Sequence, residues 1–177
     1  MQLEVIKGDI TKLKVDAIVN SANPSLLGGA GVDGAIHKAA GPGLLKECIK
    51  LRKTKLKKGL KRGEVVLTKG YNLFSKFIIH TVGPVYSYNK EYECKQALYN
   101  CFYNSLSLAE KYNCKSIAFP AISCGIFDYP KKKCALILKK VLEEFKFKNL
   151  KKAIICLYDK ETYIIFKKVL EIFLKKI

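Results

Sequence analysis

The chain has few histidines and arginines, and its cysteines lack the spacing of metal centres. It has two histidines, and its seven cysteines include no C-x-x-C pair and no histidine at metal-site spacing. We therefore expect no metal ion and reduced cysteines that pack as small apolar residues. Only Arg52 and Arg62 are arginine, so the bidentate donors that read base edges are nearly absent and sequence-specific nucleic-acid recognition is disfavoured.

Long apolar runs and targeting segments are also lacking. The longest apolar stretches, such as residues 153–158, are far shorter than the roughly 18 to 20 residues that cross a bilayer. Residues 1–9 alternate apolar and charged side chains, and no small-residue cleavage site follows them. We expect no membrane association, and the sequence predicts a cytoplasmic protein.

The composition is that of a folded protein with a large positive charge. The 177 residues are 49% hydrophobic and 27% charged, which predicts one compact domain over residues 1–177. The formal net charge of +18 would attract polyanions, so weak electrostatic binding to nucleic acid is one expectation. Lysines that only solvate the outer faces of helices are the simpler explanation of this charge.

Hydrophobic periodicity predicts strands that alternate with helices, which indicates an α/β layered fold. The predicted strands are residues 3–6, 16–20, 64–67, 77–82, 115–121 and 153–158. The predicted helices are residues 32–40, 44–51, 93–112, 131–145 and a last one from 160, with Lys175 and Lys176 near its end. Nearly continuous apolar strands indicate a mostly parallel sheet covered on both faces, whose ligands bind beyond the carboxyl ends of the strands.

Two glycine-centred loops, residues 28–34 and residues 123–127, each follow a predicted strand and precede a predicted helix. Glycine lets the backbone approach a ligand closely, and the amides at the start of a helix attract an anion. Either loop alone could be an ordinary turn. Together, on neighbouring strands, the two loops predict a cradle for two linked phosphates.

The first loop also matches the G-x-G-x-x-G motif from Gly29 to Gly34, which makes a dinucleotide-binding Rossmann fold an alternative. In that motif the first glycine directly follows the strand, whereas residues 21–28 intervene here. No acidic residue ends a second strand about twenty residues later, as that fold requires. The Rossmann alternative is therefore disfavoured.

Amide and carboxylate side chains accompany the first loop, where phosphate binding alone would favour lysine. Asn20 could satisfy the backbone of a turn, and Asn23 could hold the loop or bind a sugar hydroxyl. Asp33 could accept amide protons at a helix start. Asp9 could be a turn residue or could accept a proton from an exocyclic amine such as that of adenine.

The two histidines are expected to be structural rather than catalytic. His37 follows Asp33 by four residues, so the two side chains share one face of the predicted helix. His80 lies inside an apolar strand, which indicates a place in the core.

Five motifs in order along nearly the whole chain resemble those of a macrodomain, the ADP-ribose-binding α/β/α module, and within it the MacroD-type branch. The motifs are Gly8-Asp9-Ile10-Thr11, Val15-Asp16-Ala17-Ile18-Val19-Asn20-Ser21-Ala22-Asn23, Gly28-Gly29-Ala30-Gly31-Val32-Asp33-Gly34-Ala35-Ile36-His37, Ile79-His80-Thr81-Val82-Gly83-Pro84 and Phe119-Pro120-Ala121-Ile122-Ser123-Cys124-Gly125-Ile126-Phe127. The resemblance implies a three-layer α/β/α fold with a central mixed, mostly parallel sheet of about six strands.

The resemblance also implies an enzyme that acts on ADP-ribose esters without a cofactor or a metal. Such an enzyme removes mono-ADP-ribose from modified acidic side chains of proteins and deacetylates O-acetyl-ADP-ribose. Its implied partners are ADP-ribose, ADP-ribosylated proteins and O-acetyl-ADP-ribose. A reader that binds ADP-ribose without cleaving it stays open as the alternative.

Carried over residue by residue, the resemblance makes Asn23 and Asp33 the catalytic pair. Asn23 would orient the distal ribose, and Asp33 would position or activate a water molecule. Phe127 would pack on that ribose, and Tyr158 is the candidate that stacks on adenine. The complete set of implied ligand-binding residues is Asp9, Ile10, Asn20, Gly29, Ala30, Gly31, Val32, Ser123, Cys124, Gly125, Ile126, Phe127 and Tyr158.

The sequence departs from the family pattern in four places. Ala30 replaces a glycine, Cys124 stands where threonine or serine is usual, Asp128 replaces a glycine, and residues 53–63 differ from the usual segment. Ala30 should leave the path of the backbone intact. Asp128 would repel a diphosphate unless its carboxylate points away or serves the chemistry.

Overall fold

The computed structural model describes residues 1–174, in which six strands form one sheet. The strands are β1 (Gln2–Lys7), β2 (Ala17–Ser21), β3 (Val65–Lys69), β4 (Phe77–Thr81), β5 (Ser116–Phe119) and β6 (Lys152–Leu157). Their order in the sheet is β1-β6-β5-β2-β4-β3. All neighbours are parallel except β3 and β4, which are antiparallel. The expected mixed, mostly parallel sheet is confirmed.

Helices cover both faces of the sheet, as expected for three layers. They are α1 (Gly31–Ala40), α2 (Pro42–Lys53), α3 (Glu91–Lys111), α4 (Lys131–Glu144), α5 (Lys160–Val169) and α6 (Glu171–Leu174). Because side chains alternate along a strand, Ile18 packs with the apolar residues of α1 and α2, whereas Val19 packs with those of α3, α4 and α5. The predicted last helix is divided at Leu170, and its Lys175 and Lys176 lie outside the described residues.

Local chemistry explains where these helices begin and end. Gly41 adopts a φ of 82°, which ends α1, and Pro42 occupies the first turn of α2, where its missing N–H costs nothing. Asp159 starts α5 because its carboxylate accepts the Thr162 amide at 2.8 Å. No helix of residues 1–174 combines the length and the apolarity needed to cross a membrane.

The order of the strands creates a crevice at the carboxyl ends of two central strands, β2 and β5. β2 and β5 are neighbours, but the chain leaves β2 for α1 on one face and leaves β5 for α4 on the other face. Where two neighbouring parallel strands send their connections to opposite faces, a crevice opens beyond their carboxyl ends. Both glycine-centred loops lie at this point.

Candidate functional site

A cavity of about 690 Å³ opens beyond the carboxyl ends of β1, β2, β5 and β6. Its volume falls within the roughly 300 to 1,000 Å³ that small-molecule sites occupy. Both predicted catalytic residues and every predicted ligand-binding residue except Asn20 line it. The sequence analysis assigned no ligand-binding role to the other lining residues, which are Gly8, Ser21, Ala22, Ala35, Pro120, Ala121, Cys156, Leu157, Asp159 and Thr162.

The first loop presents backbone amides to the cavity wall. Ala30 precedes α1 and gives that helix no side-chain cap, and the amides of Gly31, Val32 and Asp33 have no acceptor within residues 1–174. Uncapped amides and the helix dipole together favour an anion. Ala30 itself has extended backbone (φ −92°, ψ 177°), so its Cβ is tolerated where the family has glycine.

The second loop is folded by its own backbone. Cys124 N donates to Ala121 O at 3.2 Å, and Tyr129 N donates to Ser123 O at 2.8 Å. The amides of the next three lining residues donate to no acceptor in the described part of the chain; they are Gly125, Ile126 and Phe127. Two separate sets of unpaired amides therefore line one cavity, which is the arrangement expected of a diphosphate cradle.

Two departures from the family pattern lie in or beside this second loop. Asp128 adopts a φ of 57°, a left-handed conformation that explains why glycine is usual there. It is not among the residues that line the cavity, so its carboxylate does not form part of the anion-binding wall. Cys124 does line the cavity and is half-buried, and its side chain is a free thiol.

Asp33 is a buried carboxylate at the wall of the cavity, with 4% of its surface exposed. Its Oδ1 accepts a hydrogen bond from Asn20 Nδ2 at 2.8 Å and lies 3.5 Å from His37 Nε2. Its Oδ2 has no hydrogen-bond partner within residues 1–174. Burial raises the pKa of Asp33, against the opposing effects of the Asn20 bond and of His37.

Asn23 holds the first loop and approaches Asp33. Its Nδ2 donates to Gly28 O at 2.8 Å, and its Oδ1 accepts from Ser25 N at 3.1 Å. A primary amide carries two protons, so a second N–H of Nδ2 stays available to a ligand. A Cβ placed on Gly29 would lie 3.1 Å from both Asn23 Nδ2 and Asp33 Oδ2, so the predicted catalytic pair meets at this glycine.

Asn20 is the one predicted site residue that does not line the cavity. Its side chain is fully buried beneath Asp33, to which it donates, and its Nδ2 also lies 3.1 Å from His80 Nδ1. Asn20 and His80 are direct partners in the pairing of β2 with β4. Asn20 therefore contacts a cavity residue, Asp33, and a direct contact of Asn20 with a ligand stays a prediction.

Asp9, which follows β1 and lines the cavity, caps a short 3-10 helix (Ile10–Lys12). Its Oδ1 accepts from Thr11 Oγ1 at 2.7 Å and from Thr11 N at 2.9 Å, and these bonds hold the pKa of Asp9 below its usual value. Tyr158, which follows the neighbouring strand β6, is 85% exposed, and its stacking on adenine stays a prediction. Asp159, which also lines the cavity, could have been found from its helix-starting Asp-x-x-Thr pattern.

Comparisons with known proteins agree with this geometry. The macro domain family model matches residues 19–138. A macro domain-containing protein of Chlorobaculum tepidum is 45% identical over 170 residues, which cover 95% of each chain. The ADP-ribose glycohydrolase MACROD2 of Homo sapiens is 43% identical over 94% of this chain, which spans 39% of that protein. The Oceanobacillus iheyensis macrodomain with ADP is 42% identical and superimposes with a TM-score of 0.92, covering 99% of this chain and 93% of that one.

Proposed function

The chain belongs to the macro domain family, and from that premise we propose that it binds ADP-ribose and hydrolyses esters of its distal ribose. The proposed substrates are proteins that carry mono-ADP-ribose on acidic side chains, and O-acetyl-ADP-ribose. The name of the MACROD2 relatives, ADP-ribose glycohydrolase, supports hydrolysis. The bound ADP in the Oceanobacillus iheyensis macrodomain supports a diphosphate ligand for this fold.

One observation carries the proposal: among residues 1–174, Asp33 Oδ2 is buried without a partner at a cavity wall that also holds two sets of unpaired backbone amides. Buried polar groups are nearly always hydrogen-bonded, so an orphaned carboxylate oxygen marks a position that a ligand or water completes. The amides fit a diphosphate, and the carboxylate fits a proton acceptor beside it.

The geometry supports a hydrolysis in which Asp33 serves as general base and then as general acid. The amides of the two loops hold the diphosphate, which places the distal ribose beside Asn23 and Asp33. As a water oxygen attacks the ester carbonyl carbon, Asp33 Oδ2 takes a proton from that water. The bond between the tetrahedral carbon and the ribose oxygen then breaks, and the ribose oxygen takes from Asp33 the proton that came from water. The products are the carboxylic acid and ADP-ribose.

A binding-only module is the second candidate, and one observation favours it. Asn23 Oδ1 is occupied by Ser25, whose backbone N and Oγ both donate to it, and one proton of Nδ2 is occupied by Gly28 O. An amide that is held in this way can maintain the shape of the loop without taking part in a reaction.

Binding and hydrolysis measured side by side separate the two candidates. Calorimetry with ADP-ribose and product release from a mono-ADP-ribosylated protein and from O-acetyl-ADP-ribose would be compared for wild type, Asp33→Asn, Asp33→Ala and Asn23→Ala. We expect Asp33→Asn to keep its affinity for ADP-ribose and to lose turnover about 100-fold or more, as removal of a general base does.

Asp128→Asn is the matched control, because it removes a neighbouring carboxylate that does not line the cavity. It should keep both affinity and turnover. Full turnover by Asp33→Ala would remove Asp33 from the mechanism. Tight binding by the wild-type protein with no product from either substrate would establish the binding-only module instead.

A further inference from the structure

A chain of buried polar side chains lies beneath Asp33 and does not reach the cavity. Asn20 Nδ2 lies 3.1 Å from His80 Nδ1, and His80 Nε2 lies 2.9 Å from Thr68 Oγ1. Thr68 Oγ1 donates in turn to the carbonyl oxygen of Lys69 at 3.2 Å. Asn20, Thr68 and His80 are all fully buried. The chain thus connects Asp33 to backbone on the edge strand β3.

The chemistry of these groups determines the direction of each hydrogen bond. Because Thr68 Oγ1 gives its only proton to Lys69 O, it accepts from His80 Nε2, which must carry the ring proton. His80 Nδ1 is then an acceptor, and Asn20 Nδ2 donates one proton to it and the other to Asp33 Oδ1. Complete burial lowers the pKa of His80 to about 3, so the ring is neutral at physiological pH.

The orientation of the Asn20 amide is not determined by its own oxygen. Asn20 Oδ1 is buried and has no partner within residues 1–174, so no hydrogen bond holds it in place. If the amide turned over, this oxygen would face the Asp33 carboxylate on one side and the Nδ1 lone pair of His80 on the other. Two acceptors therefore select the observed orientation, and His80 supplies one of them.

We propose that His80 is a positioning residue for hydrolysis: its Nδ1 lone pair holds the Asn20 amide so that Asn20 fixes Asp33 Oδ1 and leaves Oδ2 for the attacking water. The assignment rests on the proposed function, and it adds a residue that touches neither the cavity nor Asp33. Thr68 contributes to this positioning because its hydroxyl oxygen accepts a hydrogen bond from His80 Nε2 and so keeps the ring proton on that nitrogen.

The hydrogen bond from Asn20 stabilises the Asp33 carboxylate through the dipole of a neutral amide, in addition to any charge on His37. Two titratable groups face it: His37 of α1 lies 3.5 Å away, and Cys48 of α2 is near enough for the Asp33 charge to add to the burial that raises the pKa of its thiol to about 12. No lysine or arginine of residues 1–174 forms an ion pair with Asp33. Loss of the Asn20 hydrogen bond would therefore favour the protonated carboxyl and raise the pKa of Asp33 further.

Two substitutions of His80 separate positioning from packing. In His80→Asn the side-chain oxygen can occupy the place of Nδ1 and accept from Asn20. In His80→Gln the side-chain nitrogen can occupy the place of Nε2 and reach Thr68, but the acceptor beside Asn20 is lost. Glutamine is closer to histidine in volume, so a purely structural role predicts that His80→Gln is the milder change.

We expect the opposite order. His80→Gln should lower kcat at least about tenfold with KM and ADP-ribose affinity nearly unchanged, and should move the acid limb of the pH–rate profile to higher pH. His80→Asn should keep the acid limb of wild type. Equal losses in both variants, or losses that follow melting temperature, would overturn the proposal.

Thr68→Val and Thr68→Ser keep the test decisive if a His80 variant does not fold. Valine removes the hydroxyl at nearly constant volume and should produce a weaker form of the His80→Gln phenotype, whereas serine should preserve the wild-type profile. Identical pH–rate profiles for the two variants would contradict the role of Thr68 and His80 in positioning Asp33.

An NMR titration of the Asp33 carboxyl carbon distinguishes failure of this inference from failure of the proposed function, because it needs no turnover. The Asp33 pKa should rise in His80→Gln and Thr68→Val and stay at the wild-type value in His80→Asn. If the wild-type protein releases no product but these shifts occur, hydrolysis is wrong and the positioning of Asp33 is right. If all variants share one Asp33 pKa, the positioning of Asp33 by His80 is wrong.

Discussion

The two loops that line the cavity are held in different ways. Side-chain hydrogen bonds hold the first loop. Asn23 Nδ2 donates to Gly28 O, and the buried Asn20 amide donates to Asp33 Oδ1. The second loop is held by backbone hydrogen bonds of its own turns and by one bond from Tyr86 N to Phe127 O, and Ile126 at its tip is 82% exposed. The first loop brings the Asp33 carboxylate to the cavity, whereas the second brings backbone amides, the buried Ser123 hydroxyl and an exposed apolar tip.

Under the proposed function, this difference predicts a division of labour between the loops. A catalytic carboxylate must be held within a fraction of an ångström, which a buried polar network provides. A loop that covers a bound diphosphate has to admit and release its ligand, which fewer side-chain contacts allow. We therefore expect changes in the first loop to act on turnover and changes in the second loop to act on affinity.

The largest effect is expected from Gly34→Ala. A Cβ at this position would lie 2.4 Å from Gly29 O, and because the clash is with backbone, the first loop must move away from α1. Turnover should fall by about 100-fold, the cost of displacing a catalytic group by about 1 Å. Steady-state kinetics on a mono-ADP-ribosylated protein would measure it.

Gly125→Ala is the control for Gly34→Ala in the second loop. Nothing lies within 4 Å of a Cβ there, so the substituted loop should keep its shape and its turnover. Equal losses in the two alanine variants would abolish the distinction between the loops.

Acid should destabilise the fold through His80, which lies beneath Asp33 and the first loop. The pKa of His80 is about 3 in the folded protein and near 6.5 when unfolded, so the native state binds fewer protons. The stability that His80 contributes is present above pH 6.5 and is lost as the pH falls toward 3, by up to about 1.4 kcal/mol per pH unit.

Urea denaturation of wild type and His80→Asn at pH 7, 6 and 5 would isolate this contribution, because asparagine does not titrate. The free energy of unfolding of each protein would be plotted against pH. The difference between the two slopes should approach the value for one extra proton bound on unfolding as the pH falls to 5. Parallel stability curves would show that His80 does not titrate on unfolding.

A smaller effect on affinity is expected from Ile126→Ala in the second loop. The exposed side chain lines the cavity, so a bound ligand would bury part of it, and its truncation should weaken ADP-ribose binding by about 1 kcal/mol. Turnover at saturating substrate should stay at the wild-type value. Calorimetry and kcat together test this, and a fall in kcat without a change in affinity would contradict the division of labour.

The smallest effect is expected from Asp128→Gly. Asp128 has a left-handed backbone that glycine adopts without steric cost, so this change should stabilise the fold by about 1 kcal/mol or less. Affinity and turnover should not change, because Asp128 does not line the cavity. A thermal melt beside an ADP-ribose titration would measure both, and a gain in affinity would place its carboxylate near the anion.

Most elements of the fold could be predicted from short stretches of sequence. The spacing of apolar residues located α3 to within two residues at its start and one at its end, and proline and glycine marked the break between α1 and α2. The two glycine-centred loops were recognisable because each carries its signal within about seven residues. Weak binding to nucleic acid and a cytoplasmic location stay predictions.

The position of Asn20 could not be predicted in the same way. Alternation along β2 indicates that Asn20 and Ile18 share one face, but it does not say what stands above that face. His80 follows Asn20 by 60 residues, and the two meet only because β2 pairs with β4 in the observed register. Thr68 joins them because β3 pairs antiparallel with β4.

The sequence by itself determined most helices and strands and the two glycine-centred loops of a shared cradle, because backbone conformation responds to neighbours a few residues away. Only the tertiary structure decided which amides of those loops stay unpaired within residues 1–174, and that Asp33 lies above a buried amide and a neutral histidine. Those contacts depend on which strands are adjacent, and strand order is set by the packing of two apolar faces between helices rather than by any local pattern.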